Sequence, residues 1–230
     1  MIGFYDYTVW LTYLSLISAT VGIFVTRCGP GYPNIGAAFL LLCGLCDAFD
    51  GIVARTKQGR TPQEKKFGIQ IDSLTDLVAF GVLPVCIGDA LYRSCANMSP
   101  NPEAQIMASI PYPFFVTVFV IYVLAAMIRL AYFNVLAEES SEKGESVKTY
   151  TGLPVTAAAL IFPPFLLLRH LVGRDIAIFY YGVMLLVAAL FVSRINIRKP
   201  GLKGVLIMVG VGVLEFILIL VVRYYGARVL

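Results

Sequence analysis

Long apolar runs, separated by short polar segments, dominate this chain. An apolar run of about 20 residues is long enough to cross a bilayer as an α-helix. Backbone polar groups find no water inside a bilayer, so only helices or closed barrels can span it. The 230 residues are 59% hydrophobic and 14% charged, which is more apolar than an ordinary soluble domain. The sequence therefore predicts an all-α fold, a polytopic transmembrane helical bundle.

The apolar runs predict seven membrane spans, at about residues 7–25, 34–55, 70–91, 111–136, 153–171, 176–193 and 204–222. No soluble part separates from them, so we expect a single integral-membrane domain over residues 1–230. The first six residues contain no Lys or Arg, so the first span is expected to be retained rather than cleaved as a signal peptide. No basic patch has interleaved aromatic residues, which argues against a nucleic-acid partner.

The distribution of basic residues predicts an orientation in the membrane. The segment 56–67, between the second and third spans, carries four basic residues and one acidic residue, Glu64. The segment 92–110 is rich in Pro and Asn and has few basic residues. Because an excess of Lys and Arg marks cytoplasmic loops, we expect segment 56–67 inside and segment 92–110 outside. The predicted location is the cytoplasmic membrane.

Four carboxylates flank the basic segment 56–67. Asp47 and Asp50 are three residues apart at the end of the second span, so they share one helix face. Asp72 and Asp76 are four residues apart at the start of the third span and also share a face. Two such pairs near one membrane surface can form a single cluster of hard oxygen ligands. That cluster suits Mg²⁺, Mn²⁺ or Ca²⁺, and not zinc.

Small residues and an arginine follow the same two faces. Ala54 lies under the face of Asp47, and Gly68 is four residues before Asp72 on its stripe. Gly51 and Gly68 leave room for a ligand to approach the backbone. Arg55 offers a guanidinium fork that fits a phosphate group. Together these residues favour a phosphate-bearing ligand beside a metal cluster.

Two other interpretations of the carboxylates remain to be weighed. They can cap helix ends, or pair with the lysines of segment 56–67, without any ligand. They can also form the cation site of a transporter that is not an enzyme. A transporter site is expected near the bilayer midplane, whereas these carboxylates are predicted at one membrane surface.

The stretch from Asp47 to Asp76 resembles the signature of the CDP-alcohol phosphotransferases, D-x2-D-G-x2-A-R, a linker and G-x3-D-x3-D. Every fixed position matches; these are Asp47, Asp50, Gly51, Ala54, Arg55, Gly68, Asp72 and Asp76. The linker is about four residues longer than the family usually shows.

Further segments resemble the phosphatidylserine synthases of that family. They are residues 72–84, which read DSLTDLVAFGVLP; residues 129–134, which read RLAYFN; residues 152–158, which read GLPVTAA; and residues 193–195, which read SRI. Tyr132 departs from this resemblance, because those enzymes usually have a basic residue there. The resemblance covers most of residues 10–203.

The resemblance implies transfer of the phosphatidyl group from CDP-diacylglycerol to the hydroxyl of L-serine, giving phosphatidylserine and CMP. It also implies a six-helix core, about residues 7–203, so that the span at 204–222 is an addition. Two Mg²⁺ or Mn²⁺ ions and a homodimer are expected on the same ground. Glycerol 3-phosphate, inositol and choline remain alternative acceptors within the family. The unrelated serine synthases with an H-x-K nucleophile are excluded, because Leu171 and Val172 follow the single histidine, His170.

The remaining site residues are assigned by role. Asp47, Asp50, Asp72 and Asp76 are the expected metal ligands, and Asp76, one turn deeper, is also the expected general base. The nucleotide or its diphosphate is expected at Gly51, Ala54, Arg55 and Gly68, with Ser15 where relatives often have an Asn. Arg129, inside a span, needs an anionic partner, either a structural carboxylate or the diphosphate. By resemblance, Arg129 and Asn134 are expected to contact the acceptor or a phosphate.

Overall fold

The structure is a computed structural model that describes residues 3–96, 109–142, 149–172, 177–198 and 202–226. Its α-helices are α1 (Trp10–Arg27), α2 (Pro33–Thr56), α3 (Pro62–Asp76), α4 (Leu83–Ala96), α5 (Tyr112–Glu142), α6 (Ala158–Val172), α7 (Ala177–Phe191) and α8 (Leu202–Gly226). A π-helical turn, Leu77–Val82, joins α3 to α4 without a break, and short 3₁₀ turns cover Tyr7–Val9 and Val155–Ala157.

Among the described residues, four helical segments are long and apolar enough to cross a membrane; they are Tyr7–Arg27, Pro33–Thr56, Pro62–Ser94 and Tyr112–Glu139. Three shorter apolar helices follow, at Val155–Leu168, Ile178–Phe191 and Leu206–Val221. Each of the seven lies at one of the expected spans. The prediction of a polytopic helical membrane protein is therefore confirmed.

Small residues allow the first two helices to pack closely. The chain turns between α1 and α2 at Gly31, whose φ of +98° favours glycine. A Cβ at Gly22 of α1 would lie 2.7 Å from the Cβ of Phe39 on α2. A Cβ at Gly44 of α2 would lie 2.7 Å from Ala159 of α6. Because glycine lets helix backbones approach, α2 can contact α1 and α6 closely, and this places α2 in the centre of the bundle.

Aromatic side chains fill the core beyond α2. The largest fully buried ones are Tyr122, Tyr180, Phe80, Phe115, Phe162 and Phe191. Buried tyrosines need hydrogen-bond partners, and here the hydroxyl of Tyr122 donates to Phe80 O at 2.8 Å, while that of Tyr180 donates to Pro84 O at 2.8 Å. Both carbonyls belong to the π-helical turn or the residues just after it. These two hydrogen bonds therefore hold the backbone of the segment that follows Asp76 against the core.

The third span begins earlier than the apolar pattern predicts. The helix starts at Pro62 rather than near Gln70, so only residues 57–61 connect α2 to α3. Thr61 caps it, since its hydroxyl accepts from Glu64 N at 3.2 Å and Glu64 Oε2 accepts from Thr61 N at 2.8 Å. This capping box, with Pro62 at the first position, was readable from the sequence, but those residues are polar and lie outside an apolar run.

In the part of the chain that the structure describes, two three-residue strands are a small addition to the helical fold. β1 (Thr149–Thr151) pairs antiparallel with β2 (Asn196–Arg198). Immediately after β1, Gly152 adopts a φ of +80°, and a Cβ there would lie 2.6 Å from Phe191 O. Gly152 N donates to Ile195 O at 2.8 Å. The glycine therefore allows the start of segment 152–158 to dock against the end of α7.

The last helix, α8, packs against α2 and α6. Glu215, in the middle of α8, is 8% exposed. Many other side chains of α8 are exposed and apolar, including Ile207, Leu214 and Ile217, as expected for a helix that faces lipid on one side. Its place as an addition to a six-helix core stays a prediction.

Candidate active site

Three of the four predicted carboxylates meet between α2 and α3. Carboxylate oxygens of Asp47, Asp50 and Asp72 all lie within 4.8 Å of one another, and the three residues are half-buried. The i,i+3 spacing on α2 turns both of its carboxylates toward α3, which is why two separate helices contribute to one group.

The donor set fits a hard divalent cation. Three carboxylates this close repel one another unless a positive charge is shared among them, and oxygen is the ligand atom that Mg²⁺ and Mn²⁺ prefer. Within the described part of the chain, no Lys or Arg forms an ion pair with these three residues. Lys57 instead pairs with Asp6 and Glu64, and Lys66 with Glu138.

Those ion pairs bear on the alternative in which the acids are only caps or partners of linker lysines. Asp47 and Asp50 lie inside α2, well after its first turn, so they do not cap its N-terminus. Lys57 and Lys66 have other carboxylate partners, and Lys65 is exposed and forms no ion pair among the described residues. The three carboxylates are therefore left as a group that could hold a metal ion.

Asp76 differs from the other three carboxylates. It is 7% exposed at the last position of α3, and it is not part of the group within 4.8 Å among the described residues. It is close enough to interact electrostatically with Asp47, Asp72 and Asp50. The π-helical turn Leu77–Val82 begins directly after it. Such turns are often found at functional sites. This one follows Asp76, the last carboxylate on the helix face that also carries Gly68 and Asp72.

Gly51 leaves open space on the linker side of the carboxylates. A Cβ at Gly51 would meet only Arg55 Nη2, at 3.7 Å. The Arg55 guanidinium thus bends back over Gly51, one turn along α2. Ala54 and Gly68 lie one turn from Asp50 and Asp72 respectively, also toward the linker. The faces predicted to bind the nucleotide are therefore adjacent, and they lead from the carboxylates to segment 57–61.

Arg60 is a residue that the sequence analysis did not assign to the site. Its Nη1 donates to Ala54 O at 3.4 Å and its Nη2 to Glu64 O at 3.3 Å. The same Nη2 lies only 2.8 Å from the position that a Cβ of Gly68 would take. The Arg60 guanidinium therefore lies between two signature residues. No motif position signals it, because it belongs to the longer linker.

The N-terminal segment holds that linker in place. Lys57 Nζ forms an ion pair with Asp6 and another with Glu64 Oε1 at 3.1 Å. The Lys57 hydrogen bond keeps the pKa of the Asp6 carboxyl below its usual value. The rings of Phe4 and Phe67 pack edge to face, with centroids 5.5 Å apart. Residues before α1 therefore contact both the linker and the first turns of α3.

Ser15 lies on α1 opposite α2. It is 2% exposed, and Cys43 Sγ donates to its carbonyl oxygen at 3.4 Å. Its hydroxyl oxygen is buried without a hydrogen-bond partner among the described residues. Cys43 is one turn from Asp47 on α2. Ser15 is thus near the carboxylates, and its role toward a nucleotide stays a prediction.

Asn134 and Arg129 of α5 have protein partners. Asn134 Nδ2 donates to Ser73 Oγ at 2.8 Å, which ties α5 to the residue after Asp72. Arg129, 5% exposed, donates from Nε to Leu153 O at 3.1 Å and lies over the Phe133 ring. With Tyr132, Thr151, Ser193 and Arg194, among others, Arg129 also lines a cavity of about 520 Å³. Three of the segments that carry the resemblance therefore meet around Arg129.

A polytopic helical bundle with clustered carboxylates on two neighbouring spans defines the class of this protein. The sequence model of the CDP-alcohol phosphatidyltransferase family matches residues 8–211, which is most of the chain and ends within α8. The chain belongs to the CDP-alcohol phosphatidyltransferase family.

Several named proteins are similar to this chain. A CDP-diacylglycerol–serine O-phosphatidyltransferase of Helicobacter pylori is 32% identical over 178 residues, which is 76% of this chain and 64% of that protein. An archaetidylserine synthase of Methanothermobacter thermautotrophicus is 29% identical over 194 residues, 83% of this chain and 69% of that protein. A CDP-diacylglycerol–serine O-phosphatidyltransferase of Methanocaldococcus jannaschii is 29% identical over 192 residues, which is 83% of this chain and 72% of that protein. The chain thus spans a little under two thirds of the length of the first of these relatives.

Proposed function

We propose that this protein transfers the phosphatidyl group of CDP-diacylglycerol to the hydroxyl of L-serine. The observation that carries the proposal is the meeting of Asp47, Asp50 and Asp72 within 4.8 Å in a member of this family. Names of relatives support serine as the acceptor. The segments 72–84, 129–134 and 152–158 support the same acceptor, because they resemble those of serine synthases.

The reaction is a direct displacement. The serine hydroxyl oxygen attacks the phosphorus that carries diacylglycerol, and the bond from that phosphorus to the bridging oxygen breaks, so that CMP leaves with the oxygen. A hydroxyl is a weak nucleophile at neutral pH and needs a base in hydrogen-bond reach. Asp76 takes the hydroxyl proton in this proposal, because it lies deeper than the three grouped carboxylates. Arg55 binds a phosphate oxygen, and Gly51, Ala54 and Gly68 leave room for the nucleotide.

Asp47, Asp50 and Asp72, with Asp76 as an additional ligand, would hold the divalent ions, Mg²⁺ or Mn²⁺. When bound, such ions would supply positive charge that offsets the negative charge of the diphosphate and of the departing CMP. The protein residues supply the geometry, since both carboxylates of α2 face α3. Arg129 is proposed as an anion-binding residue toward the acceptor or a phosphate of the donor. Asn134 holds Ser73, the residue after Asp72, by a hydrogen bond.

A comparison of acceptors tests the proposed reaction. We expect purified protein with CDP-diacylglycerol to convert L-serine to phosphatidylserine, and to leave glycerol 3-phosphate, inositol and choline unused. The reason is that the segments beyond the signature resemble serine synthases. Product chromatography with the four acceptors side by side is the measurement. A phosphatidylinositol or phosphatidylglycerol phosphate spot, without phosphatidylserine, would contradict the acceptor and leave the family intact.

One relative is an archaetidylserine synthase, so the donor lipid is varied in the same assay. CDP-archaeol, with ether-linked isoprenoid chains, is offered beside CDP-diacylglycerol. Both carry the same cytidine diphosphate, which is the part that the grouped carboxylates and Arg55 would bind. We therefore expect both donors to be used, and the rates to differ through the lipid chains alone.

Cysteine labelling tests the proposed orientation, in which the carboxylates face the cytoplasm. Gln58 lies exposed on the connection between α2 and α3, and Cys28 is an exposed thiol at the opposite end of α2. We expect Gln58→Cys, in a background with Cys28 and Cys95 changed to Ser, to react with an impermeant maleimide only in inverted vesicles. The excess of basic residues in segment 56–67 is the reason. The native Cys28, restored as the matched control, is expected to label only from outside.

Reversed labelling of these two positions would contradict the orientation. It would place the carboxylates on the side away from cytosolic serine. The homodimer that the resemblance implies is a separate proposal, and it does not enter this test.

A further inference from the structure

Arg60 occupies a position that the proposed reaction does not use. It lies in the connection between α2 and α3, in the linker that is longer than the family pattern. Its guanidinium reaches back to both helices, because Nη1 is 3.4 Å from Ala54 O and Nη2 is 3.3 Å from Glu64 O. Nη2 also approaches the open side of Gly68, at 2.8 Å from where a Cβ would be.

That position lies beside the path that a nucleotide would take. The lipid chains of the donor stay in the bilayer, so the nucleotide must extend from the carboxylates toward the linker. Ala54 follows Asp50 by four residues and Gly68 precedes Asp72 by four, which is about one helical turn, roughly 5–6 Å. A diphosphate at the carboxylates would therefore place its nucleoside within reach of the Arg60 guanidinium.

The present contacts of Arg60 leave much of its donor capacity unused. Both hydrogen bonds are longer than the usual range of about 2.7–3.2 Å. Its Nε is buried and has no hydrogen-bond partner among the described residues. A guanidinium has five N–H donors in a planar fork, which fits phosphate oxygens and also the O2 and N3 acceptors of a cytosine ring.

A purely structural role for Arg60 is the competing explanation. Ala54 O is in the last turn of α2, where carbonyl groups lack a partner within the helix, so Arg60 could serve only to cap it. The approach of the Arg60 guanidinium to Gly68 is not explained by capping of α2 alone. The guanidinium extends past the end of α2 to the face of α3 that also carries Asp72.

We propose that Arg60 binds the nucleotide half of the donor substrate, as a second guanidinium beside Arg55. Each signature glycine then has an arginine next to it, with Arg55 over Gly51 and Arg60 at Gly68. The longer linker thereby adds a donor-binding group that the family signature does not contain. This inference rests on the proposed function, because it assumes that a cytidine nucleotide binds at these faces.

Binding of CDP to the full-length protein in detergent, with excess Mn²⁺, tests the inference by calorimetry. We expect Arg60→Gln to weaken CDP binding about 10- to 100-fold, as for loss of a charged hydrogen bond. Arg60→Lys, which keeps the charge but loses the fork, should bind CDP about 3- to 10-fold more weakly than wild type. Lys65→Gln is the matched control, since Lys65 is exposed on α3, and it should stay within about twofold.

A second measurement separates binding from a structural role. In turnover assays, Arg60→Gln should raise the KM for CDP-diacylglycerol and leave the KM for serine unchanged, while thermal unfolding stays near that of wild type. If Arg60 only caps α2, Arg60→Gln should lower the temperature of thermal unfolding and should not change one KM without the other. Inorganic pyrophosphate serves as a second probe. An equal loss of pyrophosphate affinity assigns the contact to phosphate, and an unchanged affinity assigns it to the nucleoside.

The outcomes are distinguishable. Wild-type protein that binds CDP, with Arg60→Gln no weaker than Lys65→Gln, overturns the role of Arg60 and leaves the proposed function standing. Wild-type protein that binds no CDP in the presence of Mn²⁺ overturns the proposed function and this inference together. If Arg60→Gln does not fold, Arg60→Lys decides, and wild-type affinity in that variant overturns the inference.

Discussion

Asp50→Asn is expected to abolish phosphatidyl transfer, with a loss of about a thousandfold or more, equivalent to about 4 kcal/mol of transition-state stabilisation. Asp50 is one of the three carboxylates whose oxygens lie within 4.8 Å of one another. Replacing its charge with an amide removes a ligand from the group and so weakens metal binding. Initial rates and Mn²⁺ binding by calorimetry are the two measurements, and both should fall together.

Two controls belong with this variant. Glu139→Gln removes one exposed carboxylate from α5 and is expected to keep near-normal rates and Mn²⁺ affinity. EDTA should abolish wild-type activity, and Mg²⁺ or Mn²⁺ should restore it. Full turnover in chelator, or an Asp50→Asn enzyme with wild-type Mn²⁺ affinity, would contradict the assignment of the cluster as a metal site.

Asp76→Asn is expected to lower transfer by about 10²- to 10⁴-fold, the usual contribution of a general base, and yet to retain most of the affinity for CDP-diacylglycerol and Mn²⁺. The reason is the separate place of Asp76, which is buried and lies outside the group formed by Asp47, Asp50 and Asp72. Asp50→Asn is the matched comparison, because it should lose both binding and turnover. Equilibrium binding and single-turnover rates separate the two effects.

Asp76→Asn with near-normal turnover would end the assignment of Asp76 as the base. Loss of Mn²⁺ affinity as large as that of Asp50→Asn would make Asp76 chiefly a metal ligand. Direct attack by serine also predicts no covalent phosphatidyl-enzyme. Labelled CMP should therefore not exchange into CDP-diacylglycerol when serine is absent, and such exchange would contradict direct attack.

The spacing predicted one cluster of four carboxylates, and the structure groups three of them, with Asp76 outside the group. Asp47 and Asp50 lie three residues apart on one helix, and Asp72 lies on the face of another that leads from Gly68. Helical periodicity alone turns these side chains toward each other once α2 and α3 are neighbours. The seven apolar helices follow in the same way from segment length, since a bilayer sets the length of a span. Both features depend on residue spacing or length within a single helix, so they can be predicted from the sequence alone.

Features that depend on tertiary contact were not predicted. Arg60 is one of several basic residues in a polar linker, and nothing in its neighbours indicates that it reaches Gly68. The partner of Asn134 is Ser73, 61 residues away, and the pattern around Asn134 does not specify it. The early start of α3 is an intermediate case. The Thr61–Glu64 capping box signalled it, but the apolar run, which begins near Gln70, placed the predicted boundary later.

The central claim is that this chain joins serine to a phosphatidyl group at the expense of CDP-diacylglycerol. Its most direct test is incorporation of radiolabelled L-serine into lipid by the purified protein. We expect labelled phosphatidylserine to form only when CDP-diacylglycerol and a divalent ion, Mn²⁺ or Mg²⁺, are both present, with one CMP released for each serine incorporated. No labelled lipid under these conditions, from protein that binds CDP, would contradict the claim.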